Sequence, residues 1–248
     1  MKLVSICNEC KSYNKVYTNF YEDFVAKGKC SCGAEIIIVL QNPKYEFLFE
    51  SAVNALIEGY TIEAATTLSS AYERFFEFCI RVFCRKCNID QEGLKSTFKE
   101  VSHQSERQLG AFLFLYLLVF TQSYKINHKI AEFRNKTVHK GYIPTPEQVY
   151  DYGNLIYKEV YNISKELRNW CHKEIHAEID ENIQSRNNTV SSDIPRSLNC
   201  SDSNFFSIQQ PCPKESFKEA IELYISKRDA MDKSLASIKQ MKSELNEV

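Results

Sequence analysis

Apolar residues recur at helical spacing through most of the chain. Asn42-Pro43 reads as an N-cap followed by proline in a first turn. Phe47, Leu48, Val53, Leu56 and Ile57 then predict a helix over about 44–59, stopped by Gly59. Thr61 is placed to cap a second helix over about 62–87, with a broad buried face that includes Leu68, Phe75, Cys79 and Phe83. A shorter, more polar helix fits about 91–101. The fourth, about 105–122, holds the most apolar run, Ala111 to Phe120, and is expected at the centre of the bundle, covered nearly all round. That run is too short to span a bilayer. A fifth helix is expected over about 126–139, with Gly141 placed to end it. Thr145-Pro146-Glu147-Gln148 has the form of a capping box. It opens a helix expected to reach about 183, striped by Val149, Tyr152, Ile156, Val160, Ile163, Leu167 and Trp170.

Periodicity fails over 185–213, where Ser, Asn, Asp and Pro dominate and a flexible linker is expected. Pro213 precedes a last amphipathic helix over about 214–245. Phe217, Ile221, Tyr224, Met231, Leu235, Ile238 and Leu245 give it a heptad seam, broken by Arg228 and Lys242. Such a helix can self-associate, dock on the body or take a partner. At the other end, Ile36 to Leu40 reads as a strand. The chain is therefore mainly α. Residues 1–41 form a small β unit, 42–184 a helical bundle, 185–213 a linker and 214–248 a terminal helix.

Ten cysteines in a chain with no visible secretory signal favour metal ligands or thiols over disulfides. Cys7 and Cys10 form one short pair, Cys30 and Cys32 a tighter one. Four thiolates in this arrangement suit tetrahedral zinc in a ribbon of short strands. The unit is too small for its own core, so structural zinc would supply much of its folding energy. Tyr13, Tyr17, Phe20, Tyr21 and Phe24 either pack on the helical body or stack on RNA bases. Cys84 and Cys87 mimic a knuckle but lie on a helical pattern with no second pair. His172 and His176 are four apart, yet no third metal ligand stands out.

The chain has 248 residues and a net charge of −1, so any RNA contact must come from a local patch. Its 7 glycines and 6 prolines suit helices joined by short loops. A cytoplasmic protein without a membrane span is expected. The run Arg134-Asn135-Lys136-Thr137-Val138-His139 fits metal-free RNA cleavage. Arginine grips phosphate through a planar fork of donors, and histidine moves protons near neutral pH. RNA supplies its own nucleophile, the 2′-hydroxyl. Asn135 and His139 share one face of a regular helix. Arg134 lies roughly 140° away from His139 around it, which favours a site completed by something else. Asn135 is a candidate to orient His139 or donate to phosphate. Glu73, among aromatics, either bonds the motif arginine or faces solvent.

The stretch Ile130 to Tyr142 resembles the signature of HEPN-domain proteins. Phe47 to Tyr60 and the continuation through Tyr72-Glu73-Arg74-Phe75-Phe76-Glu77-Phe78 look like bacterial members of that superfamily. The resemblance covers roughly 44–180 and implies a HEPN-like helical bundle. It implies a metal-independent endoribonuclease acting in antiviral defence, abortive infection or a toxin–antitoxin pair. Arg134, Asn135 and His139 would be catalytic, and no catalytic metal or DNA substrate is expected. It also implies a homodimer in which two motifs face each other, with a possible protein partner or antitoxin. Some HEPN toxins carry a modified tyrosine two residues after the histidine; here Tyr142 stands three after it. Other members are non-catalytic adaptors that bind RNA, nucleotides or proteins.

Overall fold

A computed structural model describes residues 2–7, 9–10, 13–17, 21–22, 24–30, 32–190, 196–199, 205–211 and 214–246. Strands β1 (Lys2–Ile6) and β2 (Tyr13–Tyr17) pair as an antiparallel ribbon. β3 (Tyr21–Glu22), β4 (Val25–Lys29) and β5 (Glu35–Leu40) form an antiparallel sheet. Ile36 to Leu40 are all buried because both faces of β5 are covered. Ile36, Ile38 and Leu40 pack with Cys7, Cys30 and Phe47 on one side, and Ile37 and Val39 with Val190 on the other.

The helices follow: α1 (Lys44–Ile57), α2 (Thr61–Lys86), α3 (Gln91–Val101), α4 (Ser105–Phe120) and α5 (His128–Arg134). A π-helical turn, Asn135–His139, then leads to α6 (Pro146–Trp170) and α7 (His172–Asn188). α2 is the hub. Ala64, Ala65, Leu68 and Ala71 bring it close to its neighbours, while Phe75, Cys79 and Phe83 fill the centre. Each such aromatic removed from water contributes roughly 1.5–3 kcal/mol. The capping box forms at α6 as its sequence predicts, with the Thr145 hydroxyl accepting from the Gln148 N–H and the Gln148 side chain accepting from the Thr145 N–H.

Besides the caps, where Pro43 and Tyr60 rather than Asn42 and Thr61 precede α1 and α2 and no side chain among the described residues caps either helix, four expectations need correction. α4 is not enclosed. Phe112 and Tyr116 face α2, but Phe114 and Leu118 are 78% and 63% exposed. The long helix expected to 183 breaks at Cys171, where φ is −128° and ψ 27°, and Trp170 is 65% exposed instead of buried in the stripe. α5 ends at Arg134 rather than continuing regularly to 139.

The fourth is the linker expected over 185–213, whose described parts are built into the body. Arg196–Asn199 forms β6, parallel to β5, and Phe205, Phe206 and Ile208 are buried. Phe206 packs against Phe49 and Tyr157, each at 4.8 Å between ring centroids. The Ile208 N–H donates to the buried Glu46 carboxylate at 3.1 Å.

The last helix, α8 (Phe217–Asn246), starts on the body: Phe217, Ala220 and Tyr224 are buried, and the Asn54 amide donates to the Tyr224 hydroxyl at 2.6 Å. Met231, Leu235, Ile238 and Leu245 of the expected seam have side chains outside the described residues. So do Tyr13, Tyr17 and Tyr21 of the ribbon, while Phe20 itself lies outside them. Phe24 packs on the helical body, 5.9 Å from Phe47, and beneath the Arg186 guanidinium at 4.8 Å. Arg186 also donates to the carbonyls of Leu40 and Asn42, so α7 holds the β unit in place. Among the described residues no helix is long and apolar enough to cross a membrane.

Candidate functional site

α5 is capped by Asn127, whose side chain accepts the Lys129 N–H. Ile130, Phe133 and Thr137 face inward. Ile130 and Thr137 are buried, and the Phe133 ring stacks on Tyr152 at 4.5 Å. The Thr137 hydroxyl donates back to the Phe133 carbonyl at 3.1 Å. A hydroxyl bonded to a carbonyl one turn back competes with the backbone ladder and bends helices. Asn135–His139, with Thr137 at its centre, forms the π turn. Hydrogen bonds running i to i+5 widen a turn, so positions five apart come nearer to one face than in an α-helix. The backbone thus reduces the offset between Arg134 and His139 that a regular helix would impose. Gly141, at φ 65°, ends the segment.

Arg134 and Asn135 line a cleft of about 130 Å³ between α2, α4, α5 and α6. Glu73 lines it from α2, and its Oε1 is 2.8 Å from Arg134 Nη2. This settles the orientation of Glu73: it bonds the motif arginine. Most of the remaining wall is apolar and aromatic, including Tyr72, Phe76, Leu109 and Tyr124, with Ser69, Ser105, Glu106 and Asn127 as further polar lining. Burial raises the Tyr152 hydroxyl to about 12, so it stays a neutral donor, and it shares a 2.8 Å hydrogen bond with Ser69. The Tyr124 hydroxyl is buried and has no hydrogen-bond partner among the described residues. Both tyrosines escaped the motif reading. Tyr152 belongs to an ordinary core stripe and Tyr124 to a loop, and neither carries a local signal.

His139 is exposed and does not line the cleft. Its sequence neighbours Val138 and Ile143 are exposed apolar side chains, at 40% and 70%. Tyr142 turns away to donate to Gln148 Oε1 at 2.7 Å, under Lys136 at 5.8 Å. One chain therefore gathers Arg134, Asn135 and Glu73, and leaves His139 outside the cleft.

No protein-family model matches the chain, and no curated protein or solved structure resembles it at a significant level.

The second constellation is the N-terminal cysteine cluster. The sulfurs of Cys7, Cys10, Cys30 and Cys32 all lie within 4.8 Å of one another. Cys7 and Cys32 are 3.7 Å apart, Cys10 and Cys30 3.6 Å. Metal–sulfur bonds of about 2.3 Å in a tetrahedron place sulfurs roughly 3.8 Å apart. Gly33, at φ 91°, makes the tight turn by donating to the Cys30 carbonyl at 2.9 Å. Burial raises the Cys30 thiol, but hydrogen bonds from the Cys32 backbone and side chain outweigh it and the net shift is downward. At Cys32 a backbone hydrogen bond from Ala34 is outweighed by the neighbouring sulfurs and burial, which push it to about 12. Sulfurs this close compete for negative charge, and a central cation relieves that competition. These four residues can hold a metal ion. Among the described residues Cys84 and Cys87 join no such group.

Proposed function

We propose that the chain is a metal-independent endoribonuclease of the HEPN type, working as a homodimer and carrying a structural zinc ion on Cys7, Cys10, Cys30 and Cys32. One observation carries this reading: Arg134 stands at the mouth of an apolar cleft, beside a π turn that carries His139. Arg134 would hold the scissile phosphate and stabilise charge added in the transition state. Asn135 would donate to the same phosphate or orient the histidine. His139 would take the proton of the 2′-hydroxyl as its oxygen attacks phosphorus. The bond from phosphorus to the 5′-oxygen breaks, and a protonated histidine gives that oxygen its proton. A 2′,3′-cyclic phosphate and a 5′-hydroxyl result. DNA, lacking the nucleophile, is not a substrate. The aromatic cleft suits an unstacked base next to the cleaved phosphate. A second copy of the chain would bring its own His139 to the site, since in one chain that residue lies outside the cleft. A role in antiviral defence or as a toxin follows from the sequence resemblance.

A second reading is a non-catalytic adaptor for RNA, a nucleotide or a protein. The separation of His139 from the cleft favours it. The test is cleavage of total RNA, with chelator present, by wild type beside His139→Ala. Cleavage lost in a folded variant supports the nuclease. Equal cleavage by both assigns the activity elsewhere, and no cleavage by either favours the adaptor.

A further inference from the structure

His172 and His176 lie one turn apart at the start of α7, and their Nε2 atoms face each other at 3.3 Å. Two metal–nitrogen bonds of about 2.0–2.1 Å at the tetrahedral angle place their nitrogens roughly 3.3–3.4 Å apart. The pair therefore already has the bite of a chelate. A second observation concerns the far side of His176. Its Nδ1 is 3.4 Å from the side-chain amide nitrogen of Gln209. As placed, that amide N–H donates to Nδ1; exchanging the amide oxygen and nitrogen, which fit the same outline, makes Gln209 accept the Nδ1–H and leaves the Nε2 lone pair free for a ligand bond. Metal-bound histidines characteristically have such an outer partner. Gln209 is itself well placed, because the neighbouring Ile208 is buried and its N–H is tied to Glu46.

We propose that His172 and His176 form a second metal site, separate from the four cysteines, for a divalent transition-metal ion of the zinc type. Imidazole nitrogen suits zinc, copper and nickel, whereas magnesium and calcium prefer oxygen. The two histidines fill two positions of a tetrahedron. The others stay open to water or to ligand atoms from another molecule, which makes this an accessible, exchangeable site, unlike the four-thiolate cluster. Gln209 is a positioning residue for His176.

The experiment is a calorimetric zinc titration of full-length protein whose cysteine site has been filled and the excess removed. Wild type takes up one further equivalent. His172→Ala and His176→Ala lose it, with helicity unchanged by circular dichroism. Gln209→Ala keeps it with roughly tenfold weaker affinity, as expected for loss of an outer partner. Cobalt in place of zinc at this site gives visible bands without thiolate charge transfer, which separates it from the cysteine cluster. A wild type that takes up no further equivalent overturns the proposal. So does full uptake by the double variant His172→Ala/His176→Ala.

Discussion

Arg134 Nη2 and Glu73 Oε1 meet at 2.8 Å and join α5 to α2 at the cleft. Their side chains are 24% and 26% exposed, so solvent screens the pair and its effect on stability stays below about 1 kcal/mol. Its effect on geometry is larger. A fixed guanidinium can be aimed at charge that develops in a transition state, and a loose one must be ordered first. Glu73→Ala should lower kcat for RNA cleavage by about tenfold, change KM less and leave the melting temperature nearly unmoved. Glu73→Gln keeps an acceptor and should recover most of the loss. A wild-type kcat in Glu73→Ala would remove Glu73 from the site.

The cysteine cluster should hold one zinc per chain by elemental analysis. Cys7 and Cys30 share a core with Ile36, Ile38, Leu40 and Phe47. Loss of the ion should therefore loosen the strands as well as the knuckles. Cys7→Ser should empty the site and speed proteolysis within residues 1–41, leaving the α2 core folded. Unchanged zinc content in the variant would refute the ribbon.

Gly153 on α6 is a packing glycine. A Cβ there would sit 2.6 Å from Phe217 Cε1 and 2.8 Å from its Cζ. Phe217 cannot retreat easily, with Phe49 and Tyr157 both at 5.7 Å between ring centroids. Alanine would gain about 1 kcal/mol of helix propensity, but overpacking costs roughly 1–3 kcal/mol. Gly153→Ala should be destabilising in a denaturant titration and should release the start of α8. A more stable variant would show that α8 docks differently.

Local signals were legible in the sequence. Thr145 and Gln148 are three apart and make their capping box without help from the rest of the fold. The Cys7–Cys10 and Cys30–Cys32 spacings likewise identify the cluster that forms. What escaped depends on distant partners. Hydrophobicity marks Phe114 and Leu118 as apolar but not which neighbour covers them. β6 exists because Ile37 to Leu40 offer a strand edge to residues 196–199, far along the chain. Neither proline nor glycine announces the break at Cys171. Arg134 and Asn135 could be singled out as a pair, but their cleft, with Tyr124 and Tyr152, is assembled from four helices.

Glu46 sets a pH dependence. Complete burial pushes its carboxyl up to about 7, against hydrogen bonds from Asn42, the Ile208 N–H and Tyr45 that favour the charged form. Between about pH 4.5 and 7 the folded chain retains a proton that the unfolded chain has lost. The contribution is therefore complete below the unfolded value and disappears as pH rises through the folded one. Its size is on the order of 3 kcal/mol. Relative to Glu46→Gln, which cannot ionise, wild type should gain stability as pH falls from about 8 to about 5. Parallel stability curves for the two proteins would show that Glu46 titrates normally.

The exposed apolar face of α4 bears on assembly. The first half of this helix lines the cleft with Ser105, Glu106 and Leu109, and farther along it Phe114, Leu117 and Leu118 are exposed. Val138 and Ile143, close to His139 in the chain, are exposed apolar side chains as well. Exposed apolar side chains on one face of a helix, such as Phe114, Leu117 and Leu118, mark association surfaces. A two-fold copy seated there would cover them and supply the missing histidine. Phe114→Glu combined with Leu118→Glu leaves the motif untouched and should convert a dimer to a monomer by light scattering. RNA cleavage should disappear with it, while zinc content and helicity stay as in wild type. A monomeric variant that still cleaves RNA through His139 would mean that one chain completes the site by moving His139 into its own cleft.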